Sequence, residues 1–402
     1  MRNTWLSVSG YTLGSVSYAF SQWLILTIII RSGSLADAGE FSYYLALFSP
    51  LTILCSFGLR NAVASDATKK HQLQDYLWAL YAGGALLTLI YLTILVMAEG
   101  SRFIITLVFL IKFTDMLSEI TYGVWVREKV SYRYGISKIA QVLLFIALLI
   151  AGKWLAVADE IIFMAMPLTI LLVFFAYDYP SLPLKRERVQ FQFTAVLSII
   201  KESLPLAISA LLVSINAYFP RLMLGYVDSS KALLGAFVLV IYFASVAQMP
   251  IAALTTVLIP HFRGVSYLGL FSQRYFALVL LYGVAYLIFI LWFSHLFIKL
   301  LYGVEHDFAF HQLFFAGMAG LLLFITLYLN SWFIANRLFR LYLQIAVVTL
   351  AFTLVNAGLF ITYWGLDGAF FSLFISGLFN VAVNCIVGLK KRQQNEPLGA
   401  TP

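Results

Sequence analysis

Tyr179-Pro-Ser-Leu-Pro-Leu-Lys-Arg-Glu-Arg-Val-Gln-Phe-Gln-Phe-Thr-Ala-Val-Leu-Ser-Ile-Ile-Lys-Glu-Ser203 is the longest polar break in a chain that is otherwise apolar almost throughout. Pro180 and Pro183 stop a helix at its start, and Pro205 follows it. Basic and apolar residues alternate in blocks. That pattern suits an amphipathic helix lying in the membrane interface, although an ordinary basic loop shares the composition. On each side lie six apolar segments long enough to cross a bilayer, which takes about 20 mostly apolar residues.

The approximate spans are 6–30, 40–59, 76–97, 103–126, 136–157 and 160–178 before the break. After it come 204–226, 232–259, 275–297, 308–333, 342–363 and 367–389. The first, from Trp5 to Ile30, is longer than the apolar core of a signal peptide and no cleavage pattern follows it, so it is expected to be retained. Hydrophobic residues make up 62% of the 402 residues and charged residues 11%, against roughly 25% charged in a soluble domain. Lipid must therefore be the solvent for most of the surface. Backbone groups in hydrocarbon need partners within the segment, and these segments are too long for barrel strands, so they are helices.

Net charge is +8, but the basic residues sit in short loops and no basic face alternates with stacking aromatics, so nucleic acid is not an expected partner. The charges report topology instead. With the N-terminus in the cytoplasm, 19 of the 26 Lys and Arg fall on the cytoplasmic side. Six (Arg31, Arg102, Lys153, Arg221, Lys231 and Lys299) fall on the other side, and Lys112 lies within the fourth span. A miscounted span would reverse every later loop and erode this bias. The distribution predicts an even number of spans with both termini in the cytoplasm. Cys55 and Cys385 both lie in apolar segments and read as small buried residues rather than a disulfide or a metal site.

The division expected from this pattern is an N-terminal lobe over 1–178, a linker over 179–203, a C-terminal lobe over 204–389 and a cytoplasmic tail over 390–402. Weak internal similarity supports two lobes. Ala38-Gly-Glu-Phe opens span two and Leu234-Gly-Ala-Phe opens span eight, each placing Gly-x-Phe after a short polar loop. Trp125, a basic loop and Ile139-Ala140 follow span four, as Trp332, a basic loop and Ile345-Ala346 follow span ten. Six spans per repeat give both halves the same orientation, as in parallel-repeat transporters.

Three stretches carry a resemblance. They are Leu35-Ala-Asp-Ala-Gly-Glu-Phe-Ser-Tyr-Tyr-Leu-Ala-Leu47, Phe57-Gly-Leu-Arg-Asn-Ala-Val-Ala64, and Ile215-Asn-Ala-Tyr-Phe-Pro-Arg-Leu-Met-Leu-Gly-Tyr-Val227 followed by Gly235-Ala-Phe. With the two-lobe plan, the chain resembles the multidrug/oligosaccharidyl-lipid/polysaccharide exporter superfamily, and within it the bacterial polysaccharide flippases of the O-antigen (Wzx) type. The resemblance implies an all-α polytopic membrane protein with about twelve transmembrane helices in two six-helix lobes around a central cavity. It implies movement of an undecaprenyl-pyrophosphate-linked oligosaccharide from the cytoplasmic to the periplasmic leaflet of the bacterial inner membrane by alternating access. Coupling to H+ or Na+ is implied, with no other cofactor, and so are contacts with other polysaccharide assembly proteins.

Ionisable residues inside spans are costly and tend to mark function. A pyrophosphate needs cations, and arginine binds it bidentately. Arg221 in span seven, behind Asn216, Tyr218 and Pro220, is the leading candidate, with Asn216 and Tyr218 as polar groups of the substrate cavity. The proline is expected to break the helix there and free carbonyls. Snorkelling of Arg221 to the outer headgroups is the competing reading. Arg31 and Arg60 close spans one and two, which in the family line the cavity; helix-end topology accounts for them equally well. Lys112, Asp115 and Glu119 share one face of span four. There Lys112 and Asp115 are expected to neutralise each other, leaving Glu119 to carry a proton or sodium ion, or the set is a structural ion pair.

Gln22, Gln248, Asn330, Asn356, Asn380 and Asn384 read as interhelical hydrogen-bonding groups. His295 and His311 lack metal spacing. No P-loop, nucleophile elbow or zinc pattern appears, so ATP hydrolysis is not expected. Three alternatives remain: an exporter of small organic cations, whose cavity should carry carboxylates; a polysaccharide polymerase, which should have a large outer loop; and a scaffold, which needs no charges inside its spans.

Overall fold

The computed structural model describes residues 2–66, 71–183, 192–263, 265–336 and 338–395. Helices account for nearly all of them, and no strand occurs among the described residues. In chain order these are α1 Arg2–Ser32, α2 Leu35–Cys55, α3 Leu59–Ser65, α4 Leu73–Met97, α5 Arg102–Leu117, α6 Glu119–Arg127 and α7 Tyr132–Trp154. They continue as α8 Asp159–Phe163, α9 Ala165–Val173, α10 Phe193–Val227, α11 Ala232–Leu258, α12 Arg274–Tyr302, α13 Phe310–Ala335 and α14 Phe339–Asn395. Between α9 and α10 the chain makes a π-helical turn, Phe174–Asp178, and a 3-10 turn, Tyr179–Ser181.

Among the described residues, nine helical stretches are long and apolar enough to cross a membrane. The last is a hairpin: Gly365 has φ 53° and ψ −120°, a left-handed conformation that suits glycine, and it splits α14 into two legs. Two further crossings fall short of a strict criterion for visible reasons. In α2 the first turns carry Asp37 and Glu40; α5 has only 16 residues before Ser118 interrupts it and α6 continues. Together these make the twelve crossings read from the sequence. Trp292 is 78% exposed and Leu281 67%, which in a chain of this composition marks surface facing lipid rather than water. The protein is a multi-pass helical membrane protein.

Two compact units form. One contains Met1–Ser32 and Glu40–Ile215, the other Gly33–Gly39 and Asn216–Pro402. The division falls inside α10, because this helix begins at Phe193 and runs 35 residues without interruption. Of the expected interfacial linker, residues 193–203 are the opening turns of α10, whereas 184–191 lie outside the described residues. The tail beyond Asn395 likewise lies outside them. The helix break expected at Pro220 does not occur. A proline removes one backbone bond, here the one that would reach the carbonyl of Asn216, and a helix in lipid keeps its remaining bonds because it has no better partner.

In the first unit α1 crosses α7 in backbone contact. Gly10 and Gly14, four residues apart, lie on Tyr132, Tyr134 and Gly135, and a Cβ added at Gly135 would overlap the carbonyl of Gly10. This is small-residue packing of the kind that brings membrane helices together without a hydrophobic drive. It sets Tyr11 and Tyr18 of α1 beside α7. A tight turn at Phe57 (φ 51°) and Gly58 (φ 65°) separates α2 from α3, and α3 lies on Gly123 of α6, whose missing side chain makes room for the carbonyl of Arg60.

In the second unit α13 packs against α11, α12 and α14. Its buried face includes Phe324, Tyr328 and Phe333. The Tyr328 hydroxyl donates to the carbonyl of Leu270 (3.1 Å) and the Trp332 indole N–H to that of Val265 (2.8 Å), tying the helix to the loop before α12.

Candidate functional site

The first unit buries an extended set of charged and hydroxyl side chains where α1, α3, α5, α6, α7 and the π-helical turn meet. Lys138, in the second turn of α7, is 4% exposed. Its ammonium donates to Asp115 Oδ1 at 2.8 Å and Gln141 Oε1 at 3.1 Å and lies 4.7 Å from the centre of the Tyr18 ring. Lys112 on α5 reaches the Tyr18 hydroxyl at 3.4 Å. The expected neutralisation of Lys112 by Asp115 is thus replaced: the two are one turn apart on the same helix, but α7 brings a second lysine within hydrogen-bonding range of the carboxylate. Lys138 also leaves the set of surface cations counted toward topology, which reduces that side from 19 to 18 without changing the direction of the bias.

Glu119 opens α6 directly after the break at Ser118. Its carboxylate lies 3.5 Å from the Arg60 guanidinium, so it is not left unpaired as expected from the sequence. Arg60 also donates to the Tyr11 hydroxyl at 3.0 Å and sits among three tyrosine rings, 5.6 Å from Tyr11, 5.3 Å from Tyr122 and 5.1 Å from Tyr134. Each such contact contributes about 0.5–2 kcal/mol depending on desolvation. The rings are held in turn by each other, with Tyr11 stacked on Tyr134 at 4.7 Å and Tyr122 edge-on to Tyr134 at 4.9 Å. Arg60 is therefore an organised cation with part of its side chain still accessible, 22%.

Asp178, the last residue of the π-helical turn, is fully buried. Its Oδ2 accepts from Ser118 Oγ at 2.8 Å and from the Tyr122 hydroxyl at 3.3 Å. The sequence reading passes over it because it stands at the end of span six beside Tyr179-Pro180 and looks like a loop residue. Lys138 is passed over for the same reason at the start of span five. The signal that could have found the latter is Ser137-Lys-x-x-Gln141, which places polar groups on one helix face in an otherwise apolar segment.

In the second unit Arg221 is 9% exposed. Its guanidinium lies 5.3 Å from the Tyr218 ring and 5.7 Å from that of Tyr242 on α11. The Tyr242 hydroxyl and Asn216 Oδ1 are buried without a hydrogen-bond partner among the described residues. A buried arginine packed against two tyrosine rings, one of which carries an unsatisfied hydroxyl, differs from a side chain extended to the headgroups. Arg31 lies in the last turn of α1 and is exposed. The structure thus gathers Arg60, Lys112, Asp115 and Glu119 in the first unit, and Arg221, Asn216 and Tyr218 in the second. Among the described residues, no three of His, Cys, Asp and Glu come together as a metal site.

Helices of these lengths, with ion pairs buried inside one unit and a desolvated arginine in the other, make a polytopic membrane protein with ionisable groups held inside its helical units. No family model matches the chain. By fold, it matches a mutant form of the MATE transporter VcmN of Vibrio cholerae, with a TM-score of 0.63 at 14% identity over 98% of this chain and 97% of that one. It also matches the lipid II flippase MurJ in an inward closed conformation, with a TM-score of 0.67 at 14% identity over 97% of this chain and 90% of that one. By sequence, it is 23% identical over 381 residues to the capsular polysaccharide biosynthesis protein CapF of Staphylococcus aureus, covering 90% of this chain and 94% of that protein. The chain therefore shares the fold of these solved transporters, and its sequence relative is a capsular polysaccharide biosynthesis protein.

Proposed function

We propose that this protein is a flippase for a lipid-linked oligosaccharide, moving an undecaprenyl-pyrophosphate-linked repeat unit from the cytoplasmic to the periplasmic leaflet of a bacterial inner membrane. The observation that carries this reading is the end-to-end similarity to a capsular polysaccharide biosynthesis protein in a chain that shares its fold with a lipid II flippase. Arg221 supports it chemically: a guanidinium removed from water and set between the Tyr218 and Tyr242 rings suits an anionic headgroup. Arg60, with tyrosines around it, is a second candidate contact, and Arg31 a third. Asn216 and Tyr218 would face the sugar or the phosphates. Alternating access, with a proton or sodium gradient as the driving force, completes the reading; Asp115, Glu119 and Lys112 are the ion-coupling candidates. The chain acts as a transporter and not as an enzyme, and it works beside other polysaccharide assembly proteins.

Likeness of fold to multidrug transporters keeps a small organic cation in view as cargo. The buried charge in the second unit is cationic, which favours an anion. Deleting the protein in its host and following the radiolabelled lipid-linked sugar tests the proposal. Accumulation on the cytoplasmic face is the expected result. Single repeat units accumulating outside would mean that polymerisation, not translocation, was lost.

A further inference from the structure

Three acids belong to the buried set of the first unit, and two have a cation. Asp115 has Lys138 at 2.8 Å and Glu119 has Arg60 at 3.5 Å. Asp178 has no ion pair among the described residues, although it is the most buried of the three. One of its oxygens accepts from Ser118 and Tyr122; the other, Oδ1, is buried and has no hydrogen-bond partner among the described residues. An ionised carboxylate held this way loses its hydration, and although the Ser118, Ser137 and Tyr122 hydroxyls surround it and Lys138 lies nearby, it has no ion pair of its own among the described residues, so burial of its charge is costly. A proton on the carboxyl removes that cost. The π-helical turn that places Asp178 is itself a backbone irregularity of a kind found often at functional sites.

A hydrogen-bonded chain leads from Asp178 to the pair beside it. The Tyr122 hydroxyl contacts Ser137 Oγ at 3.4 Å, Gln141 Nε2 donates to Ser137 Oγ at 3.5 Å, and Gln141 Oε1 accepts from Lys138. Lys138 holds Asp115. The charged and titratable groups facing this chain are Tyr11 and Tyr18 from α1, Arg60 from α3, Lys112 and Asp115 from α5, Glu119 and Tyr122 from α6, and Tyr134 and Lys138 from α7. Tyr177 and Tyr179 flank Asp178, and Tyr81 of α4 lies near Tyr179.

We infer that Asp178 is a proton-binding carboxyl, neutral when loaded, and that its ionisation draws on Lys138 and so loosens the link between α5 and α7. This rests on the transport reading for its purpose, and it adds Asp178 to Asp115, Glu119 and Lys112 as a coupling group of the first unit. A proton entering from the aqueous phase attaches to a carboxylate oxygen and leaves by the same bond, so no other reactant is needed.

Infrared difference spectroscopy of the purified full-length protein in lipid, titrated with pH, tests the inference without any substrate. The wild type should show the carbonyl band of a protonated buried carboxyl, lost as pH rises, and Asp178→Asn should lack it. Tyr122→Phe keeps the carboxyl but removes one donor, so the band should persist and move to higher frequency; this variant serves if the asparagine variant fails to fold. A band unchanged in Asp178→Asn, or unmoved in Tyr122→Phe, overturns the assignment. Loss of the band on adding sodium chloride at constant pH also overturns it, in favour of a metal ion. Absence of the band with intact glycan export in cells removes Asp178 and leaves the flippase standing; the band present with export unaffected by deletion of the protein does the reverse.

Discussion

Gly39 and Gly235 face each other with reciprocal contacts: a Cβ on Gly39 would overlap the carbonyl oxygen of Lys231, and a Cβ on Gly235 would overlap that of Leu35. Each glycine thus sits on the residue four before the other. Both belong to the Gly-x-Phe stretches that open α2 and α11, and both lie in the second compact unit. The internal similarity read from the sequence therefore has a physical use, because two helix starts can approach to backbone contact only where neither carries a side chain.

Gly39→Ala and Gly235→Ala should each destabilise the protein by about 1–3 kcal/mol, the usual cost of forcing a methyl group into packed space. Valine at either position should do more. Thermal unfolding in detergent, followed by loss of the monodisperse peak, measures the effect. Melting curves of both alanine variants matching the wild type would show that the helices separate without penalty.

Asp115→Asn should destabilise the first unit by about 3–5 kcal/mol, because it leaves the Lys138 ammonium buried without its carboxylate. Pairing it with Lys138→Gln should restore part of the loss. The double-mutant cycle reads this directly. Additive effects in the cycle would show that the two side chains are not coupled.

Arg221→Ala should abolish surface glycan while the protein inserts and accumulates normally. Arg221→Lys should retain part of the activity, since an ammonium keeps the charge and loses the bidentate fork. Quantifying surface polysaccharide against membrane protein level checks both. Wild-type glycan in the alanine variant would remove Arg221 from the substrate path.

Glu119→Gln withdraws the carboxylate from Arg60 and should weaken the dependence of transport on a pH or sodium gradient. Flux into inverted vesicles under imposed gradients is the measurement. A wild-type response would assign the pair to structure alone.

The charge distribution predicts both termini on the cytoplasmic side. A green fluorescent protein fused after Pro402 should fluoresce, and alkaline phosphatase at the same place should be inactive. The opposite pair of results would invert the topology.

Hydropathy is a local property that adds along the chain. Because of this, the crossings, the short loops, the hairpin before Asp367 and the break near Ser181 could all be read from residue order. The resemblance to a transporter superfamily followed from that plan and a few diffuse motifs. Charge pairing is different. Asp115 lies 23 residues from Lys138, and Arg60 lies 59 from Glu119. Which cation meets which acid depends on how each helix is rotated and how closely it approaches its neighbour. Glycines such as Gly10, Gly123 and Gly135 set those approaches, and their use shows only when the facing backbone is in place. Asp178 is the sharpest case: as a residue before Tyr-Pro it reads as the edge of a loop, and only a π-helical turn carries it into the protein. From order alone came an all-helical membrane protein and its apolar crossings; folding decided which charges are spent on each other and which stay open for chemistry, because desolvation acts on neighbours in space.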